Sequence, residues 1–165
     1  MTNCKFYKVS DKNDIEVVRL LAERIWHEHY NNILDEKQIN YMLSTVHSEQ
    51  AIRDFISKGG EYYIIDVSGE AVGYFAYISD EKKIFIDKIY VDKNFQRRGI
   101  GRSVVEFIKE KAEKRELKII ALDVNKYNVH SIAAYKSYGF ETEKSIVTDI
   151  GGGFVMDDFV MYLYL

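Results

Sequence analysis

The residues with the clearest chemical potential lie in one stretch, Ile89-Tyr90-Val91-Asp92-Lys93-Asn94-Phe95-Gln96-Arg97-Arg98-Gly99-Ile100-Gly101-Arg102. A β-rich run passes there through a basic, glycine-bearing turn into a helical pattern. The first turn of a helix has N–H groups without intrahelical partners and a partial positive charge, and glycines let an anion approach that backbone closely. Arg97, Arg98 and Arg102 add full charges. Such a turn can seat a phosphate or pyrophosphate. A Walker A loop would end in Gly-Lys-Ser/Thr, which is absent, and a dinucleotide fingerprint would need a third glycine where Val104 stands. Nucleotide hydrolysis and hydride transfer are thereby disfavoured. Taken alone, a Gly-x-Gly beside arginines favours a plainer account, a tight turn with a solvated basic cluster.

The surrounding pattern must position that turn. Residues 4 to 9 can form a short strand, and the Asp11 to Asp14 region supplies side-chain oxygens suited to a helix start. Ile15, Val18, Ala22, Ile25 and Trp26 recur at helical spacing and predict a helix over about 14 to 31. Two shorter helices follow over 34 to 43 and 48 to 58, the second stopped by Gly59-Gly60. Residues 62 to 67 and 71 to 78 read as a hairpin joined at Ser68-Gly69-Glu70, with 84 to 91 as the next strand of the meander. Gly101, Val104, Val105, Ile108 and Ala112 share one face of the helix that begins near Gly99. The apolar run 119 to 124 suits a strand covered on both sides, reached by a right-handed parallel crossover. A helix over 128 to 138 ends at Gly139, and Ile146 and 154 to 165 supply closing strands. The expectation is a mixed α+β fold, a mostly antiparallel central sheet with helices on both faces.

Composition narrows the function classes. A length of 165 residues, 47% hydrophobic and 30% charged, predicts one domain over 1 to 165. The 23 basic residues against 26 acidic ones give a net charge of −3, which argues against phosphate neutralisation on nucleic acid. Small or cationic partners fit better. The single cysteine, Cys4, cannot form an internal disulfide, and no apolar run approaches the roughly 20 residues that span a bilayer. Met1 to Phe6 lacks the basic stretch and apolar run of an export signal, so the expected setting is cytoplasmic and away from membranes. His27 and His29, two residues apart on a helix, point to diverging faces and do not suit a shared metal; His130 reads as a surface residue, and no metal is expected.

A second block, Leu122-Asp123-Val124 followed by Asn128, Ala133, Tyr135 and Gly139-Phe140, accompanies the glycine turn in fixed order. With both blocks, over about residues 84 to 140, the chain resembles the GCN5-related N-acetyltransferase superfamily. Gln96-Arg97-Arg98-Gly99-Ile100-Gly101 is similar to its Gln/Arg-x-x-Gly-x-Gly/Ala pyrophosphate loop. The resemblance implies a splayed strand pair, here 84 to 91 and 119 to 124, with the pantetheine arm of coenzyme A in the gap against the backbone of Ile89, Tyr90 and Val91. An extended arm carrying amides can pair with strand backbone as an added strand would. It also implies that the backbone from Gln96 through Arg102, with Ile100 inside it, wraps the pyrophosphate. The Asn128 side chain reaches the cofactor from a helix on which it shares a face with Tyr135, two turns away. The chain departs from many relatives in having Asp92-Lys93 where a loop proline is common.

The implied reaction moves acetyl from acetyl-coenzyme A to a primary amine of a small molecule by direct attack on the thioester. Tyr135 resembles the family's general-acid tyrosine. A free tyrosine near pKa ~10 is a weaker acid than a thiol near ~8.5, so hydrogen bonding with late proton transfer suits it better than full donation. Asp87 is the candidate base, because strict alternation would place it on one face between Phe85 and Ile89, where burial would raise its pKa; an ion pair with a neighbouring base is the competing account. Trp26, Glu28, Tyr30 and Tyr41 are candidates for the acceptor pocket, offering aromatic faces and charge to a cationic amine. The tail Asp149-Ile150-Gly151-Gly152-Gly153-Phe154-Val155-Met156-Asp157-Asp158 could form a flexible acidic loop over a polyamine, or a plain hairpin connection. An acyl-coenzyme A sensor without catalysis, and transfer to a protein, peptide or aminoglycoside amine, remain alternatives. Residues 160 to 165 could pair with a second copy to make a homodimer.

Overall fold

The computed structural model describes residues 2–165. The strands are β1 (Lys5–Lys8), β2 (Glu61–Val67), β3 (Glu70–Ser79), β4 (Lys83–Val91), β5 (Ile119–Asn125), β6 (Glu141–Gly151) and β7 (Phe154–Tyr164). They form one sheet in the order β1-β2-β3-β4-β5-β7-β6. Every neighbouring pair is antiparallel except β4 and β5, which are parallel because a helix crosses over between them. The helices are α1 (Lys12–Tyr30), α2 (Glu36–Ser44), α3 (Glu49–Ser57), α4 (Ile100–Lys114) and α5 (Val129–Ser137).

Two cores lie back to back across this sheet. On one face Val104, Val105, Ile108 and Ala112 of α4 pack against Tyr63, Phe75, Ile84, Ile120 and Met161, with Ile132, Tyr135 and Tyr138 of the α5 region alongside. On the other, Ile15, Val18, Ala22, Ile25 and Trp26 of α1 pack with Ile39 and Met42 of α2, Ile52 of α3, and Tyr62, Ile64 and Tyr74 of the sheet. Central strands are therefore apolar on both sides, which is why they read as runs rather than alternations.

Local chemistry explains the element boundaries. Asp11 accepts from the Asp14 amide at 2.8 Å, and Asp14 reaches back to the Asp11 amide, a capping box that starts α1 at Lys12, two residues before the periodicity suggests. Asp35 and Ser48 start α2 and α3 as simple N-caps, their side-chain oxygens accepting from the Gln38 and Ala51 amides. β6 runs eleven residues where the sequence reading marks only Ile146. Almost every side chain on it is exposed, so no burial pattern announces it. Most of β7 is paired on both sides within the chain, to β5 and to β6, so residues 160 to 162 are not open to strand pairing with a second copy. The open edges belong to β1 and β6, and on its β6 side β7 is paired as far as Tyr162, which leaves only Leu163 and Tyr164 of that strand unpaired there.

Candidate active-site cleft

The parallel pair β4 and β5 holds register only from Lys83↔Ile119 to Ile86↔Leu122; beyond that point residues 87–91 and 123–125 run on without pairing to each other. The parting coincides with a bulge. Ala76 of β3 faces Lys88 and Tyr77 faces Ile86, so Asp87 is an extra residue. A bulge adds twist and bends its strand, which turns β4 away from β5. It also resets the alternation: Ile84 and Ile86, then Ile89 and Val91, pack with the α4 core, while Tyr90 packs with the α1 core. Between the parted strands lies a cleft of about 700 Å³.

The glycine turn closes one end. The Asp92 carboxylate accepts from the Asn94 amide at 2.8 Å and is paired with Arg24 of α1 at 2.9 Å, which fixes a single 3₁₀ turn, Lys93–Phe95. The chain then passes through left-handed backbone at Arg97 (φ 61°) and Gly99 (φ 83°) into α4. Left-handed geometry costs a non-glycine residue roughly 1–2 kcal/mol, which accounts for glycine at 99 and marks Arg97 as held there by its surroundings. Gly99 brings no side-chain cap to α4, whereas the other four α-helices each have one. The first amides of α4 are thus left without a protein acceptor, and Gln96, Arg97, Gly99, Ile100 and Gly101 line the cleft. An anion can supply what the missing cap does not. Arg98 and Arg102 do not line the cleft: their guanidinium groups lie 4.9 Å over the rings of Phe95 and Tyr138. Their expected part, through backbone and added charge, does not need the side chains to reach into the cleft. The Gln96 side chain donates to the Val91 carbonyl at 2.9 Å and so ties the turn to β4.

Asn128 sits one residue outside α5, as its cap, so the expected shared helical face with Tyr135 does not apply. Its oxygen accepts from the Ser131 amide at 3.3 Å, and its Nδ2 donates to His29 Nε2 at 3.0 Å. That bond requires His29 to be neutral at Nε2, in keeping with a pKa lowered by burial and by His130. Asn128 therefore joins α1 to α5 across the cleft, a link between residues 99 apart that sequence spacing could not reveal. Tyr135 is half-buried and lines the cleft. Burial, then Tyr30 and Tyr138, pushes its phenol well above the usual tyrosine value.

The far end is aromatic and acidic. Trp26 and Tyr30 are buried, their rings 4.4 Å apart, and line the cleft with Tyr90 and His47. Glu28 is exposed and outside the cleft. Tyr41 is outside it too: its hydroxyl donates to the Ile150 carbonyl at 3.0 Å, and its ring packs on Phe154. With Gln38 Nε2 donating to the Val155 carbonyl at 2.8 Å, it pins the β6–β7 turn to α2, so the triple-glycine tail is a held hairpin connection. Tyr41→Phe removes one partly buried hydrogen bond and is expected to cost about 1 kcal/mol, lowering Tm by about 2–4 °C in a thermal melt.

Asp87 is exposed rather than buried, and its carboxylate is bonded to the buried Lys88 ammonium. The bulge is the reason: it breaks the alternation that would have put Asp87 on a face with Phe85 and Ile89. Two further acids line the cleft: Asp123 of β5, which sequence reasoning does not single out as a site residue, and Asp158 of β7, which it offers only as part of an acidic loop. Burial first, then Asp123 and Asp157, raises Asp158 to about 6; burial first, then Asp87, raises Asp123. Only the β5–β7 pairing brings these two together, and nothing in local spacing announces it.

Among known proteins, the chain is 25% identical over 147 residues to an uncharacterized N-acetyltransferase of Lactobacillus delbrueckii subsp. lactis, covering 84% of this chain and 85% of that one. It is 26% identical to the spermine/spermidine N(1)-acetyltransferase of Bacillus subtilis (strain 168), over 66% of this chain and 76% of that protein. The crystal structure of PaiA N-acetyltransferase from Thermoplasma acidophilum in complex with coenzyme A shares its fold at a TM-score of 0.83 and 18% identity, covering 99% of this chain and 100% of that one. The model of the acetyltransferase (GNAT) family matches residues 22–140, from the middle of α1 to the end of the α5 region, and so takes in the glycine turn, the parted strands and Tyr135. The chain belongs to the acetyltransferase (GNAT) family.

Proposed function

We propose that this acetyltransferase moves acetyl from acetyl-coenzyme A to a primary amine of a small molecule, with a polyamine as the leading acceptor. The observation that carries the reading is the cleft between β4 and β5, which joins an uncapped helix N-terminus at one end to an aromatic and acidic chamber at the other. A diphosphate suits the first and an alkylammonium the second. The Bacillus subtilis relative named for spermine and spermidine adds support for the acceptor class.

In this scheme the backbone from Gln96 to Arg102 takes the pyrophosphate, and the unpaired cleft side of β4 from Ile89 through Tyr90 to Val91 takes the pantetheine amides. Asn128, whose side chain is occupied by Ser131 and His29, holds α5 in place rather than gripping the cofactor directly. The amine must shed a proton before its lone pair can form the N–C bond. As the C–S bond breaks, the sulfur ends as a thiol. A backbone N–H near Ile89 polarises the carbonyl, and Tyr135, held protonated by its surroundings, offers a hydrogen bond to the sulfur.

The test is release of free thiol from acetyl-coenzyme A with spermidine, an aminoglycoside, amino acids and an alanine-terminated peptide as acceptors. Turnover with spermidine is expected. Coenzyme A binding without thiol release for any amine would favour a sensor. Asp87 lines the cleft, but it is exposed and its carboxylate is bonded to Lys88, so this scheme does not use it as the base. Asp87→Asn is expected to change kcat by less than about threefold and to leave the pH profile unmoved, whereas a loss of about 10²-fold, typical of removing a general base, would restore Asp87 to that role.

A further inference from the structure

Asp158 is 9% exposed, and its Oδ1 has no hydrogen-bond partner. The adjacent cation, Lys126, is spent on Asp157 at 2.8 Å. In the β5–β7 ladder Asn125 faces Asp158 and Asp123 faces Val160, so Asp123, Asn125 and Asp158 share one face of the sheet. Leu122, Val124 and Met161, on the opposite face, belong to the α4 core. Asp123 and Asp158 therefore stand diagonally across two paired strands on the α1 side, within joint reach of one ligand group. A buried carboxylate with an empty lone pair and no counter-ion is costly, and a cation entering the cleft relieves that cost.

The rest of the chamber says which cation. Trp26, Tyr30 and Tyr90 give an apolar, π-rich floor suited to methylene groups and an ammonium. Lys88, on the β4 wall, is a buried positive charge whose ammonium is already bonded to Asp87. It repels a second ammonium on its side and leaves the β5–β7 wall as the place for positive charge.

We infer that Asp158, with Asp123 beside it, seats the ammonium of an aliphatic di- or polyamine acceptor, and that Asp158 takes the proton from the nitrogen as it attacks the thioester carbon. The inference rests on the acetyl-transfer reading above. The ammonium gives one proton to Asp158, which passes it to solvent; the freed electron pair forms the N–C bond as the thioester C–S bond breaks, and the second proton shed by the nitrogen goes to the departing sulfur, which ends as a thiol. The groups around Asp158 are Asp123 of β5, Asp157 of β7, Lys126 after β5 and Tyr30 of α1, with Lys144 of β6 acting on Asp123. Burial first, then Asp123 and Asp157, raise Asp158 to about 6 against the opposing charge of Lys126, so its proton-accepting form is lost as pH falls through that value.

The test has a binding arm and a pH arm. In the first, spermidine is titrated by calorimetry into wild type, Asp158→Asn and Asp123→Asn, each saturated with coenzyme A. Each variant is expected to bind spermidine at least about 10-fold more weakly while keeping its coenzyme A affinity, which also reports that it is folded. Spermidine binding as tight in both variants as in wild type, or none in wild type, overturns the seat. In the second, kcat/KM for spermidine in wild type is expected to fall with unit slope below about pH 6, and Asp158→Asn is expected to lose that limb together with about 10²-fold in rate. An unchanged limb in Asp158→Asn overturns the proton-acceptor role. Thiol release from an alanine-terminated peptide, with no spermidine binding and no slowing by Asp158→Asn, sinks this inference and leaves acetyl transfer standing. Coenzyme A binding with no thiol release from any amine sinks acetyl transfer and the proton step with it, and the ammonium seat then stands or falls on the binding arm.

Discussion

Tyr135→Phe is expected to lower kcat by about 10²–10³-fold, within the range for losing a positioned proton donor, while changing coenzyme A affinity by less than about threefold. The asymmetry follows from where the residue sits. Its ring packs 5.8 Å from that of Phe140 and at the margin of the α4 core, and a phenylalanine keeps both contacts. Only the hydroxyl of this cleft-lining residue is lost. Because burial and the phenols of Tyr30 and Tyr138 push the Tyr135 pKa well up, the group stays protonated across the neutral range and should add no basic limb to the pH profile. A phenol held so firmly is a poor source of a free proton for a thiolate near pKa ~8.5, so its effect is a hydrogen bond that strengthens as charge develops on sulfur. Pre-steady-state thiol release compared with a calorimetric binding isotherm separates the two effects. A variant that binds poorly and turns over normally would place Tyr135 in packing alone.

Gly99→Val is expected to weaken coenzyme A binding by about 10–100-fold. Gly99 holds φ 83° at the entrance to α4, a conformation that strains a β-branched residue by roughly 1–3 kcal/mol, and tenfold in affinity corresponds to about 1.4 kcal/mol. The chain can relieve the strain only by rotating the turn, which swings the uncapped amides of α4 off the cleft. Helix α4 itself has eight of its fifteen residues beyond the first two turns and a stripe of five buried residues, so it should persist. Calorimetric titration of coenzyme A into the variant, with far-ultraviolet circular dichroism as the control for helix content, reads the effect. Unchanged affinity would mean that the anion is held elsewhere.

The order of strands and helices was legible because each central element carries a dense periodic stripe: the spacing of Ile15, Val18, Ala22 and Ile25, or of Val104, Val105, Ile108 and Ala112, has one structural solution. The glycine turn was legible for a local reason, since its backbone geometry demands residue types that stand next to one another in the chain. What depends on pairing between distant segments was not. The bulge at Asp87 leaves no mark on composition, yet it decides which face each residue of β4 presents and removes Asp87 from the buried position that alternation assigned it. Asn128 looks from its spacing like a first helical residue; its contact with His29, 99 positions away, makes it a strut between helices. Glu28 and Tyr41 have suitable chemistry, but α1 turns the first outward and α2 commits the second to the β6–β7 turn. Asp123 and Asp158 become neighbours only through the register of β5 on β7. In each case the missing information is a long-range contact rather than a residue type.

The central claim is that main-chain amides at the start of α4 hold the diphosphate of coenzyme A in the parted strands. Calorimetric titration of the full chain with coenzyme A tests it directly. One saturable site with Kd below about 0.1 mM, weakened in Gly99→Val, is the expected result, since working cofactor affinities fall in about the 1 µM to 1 mM range. No binding at millimolar coenzyme A, or binding that Gly99→Val leaves intact, would contradict it.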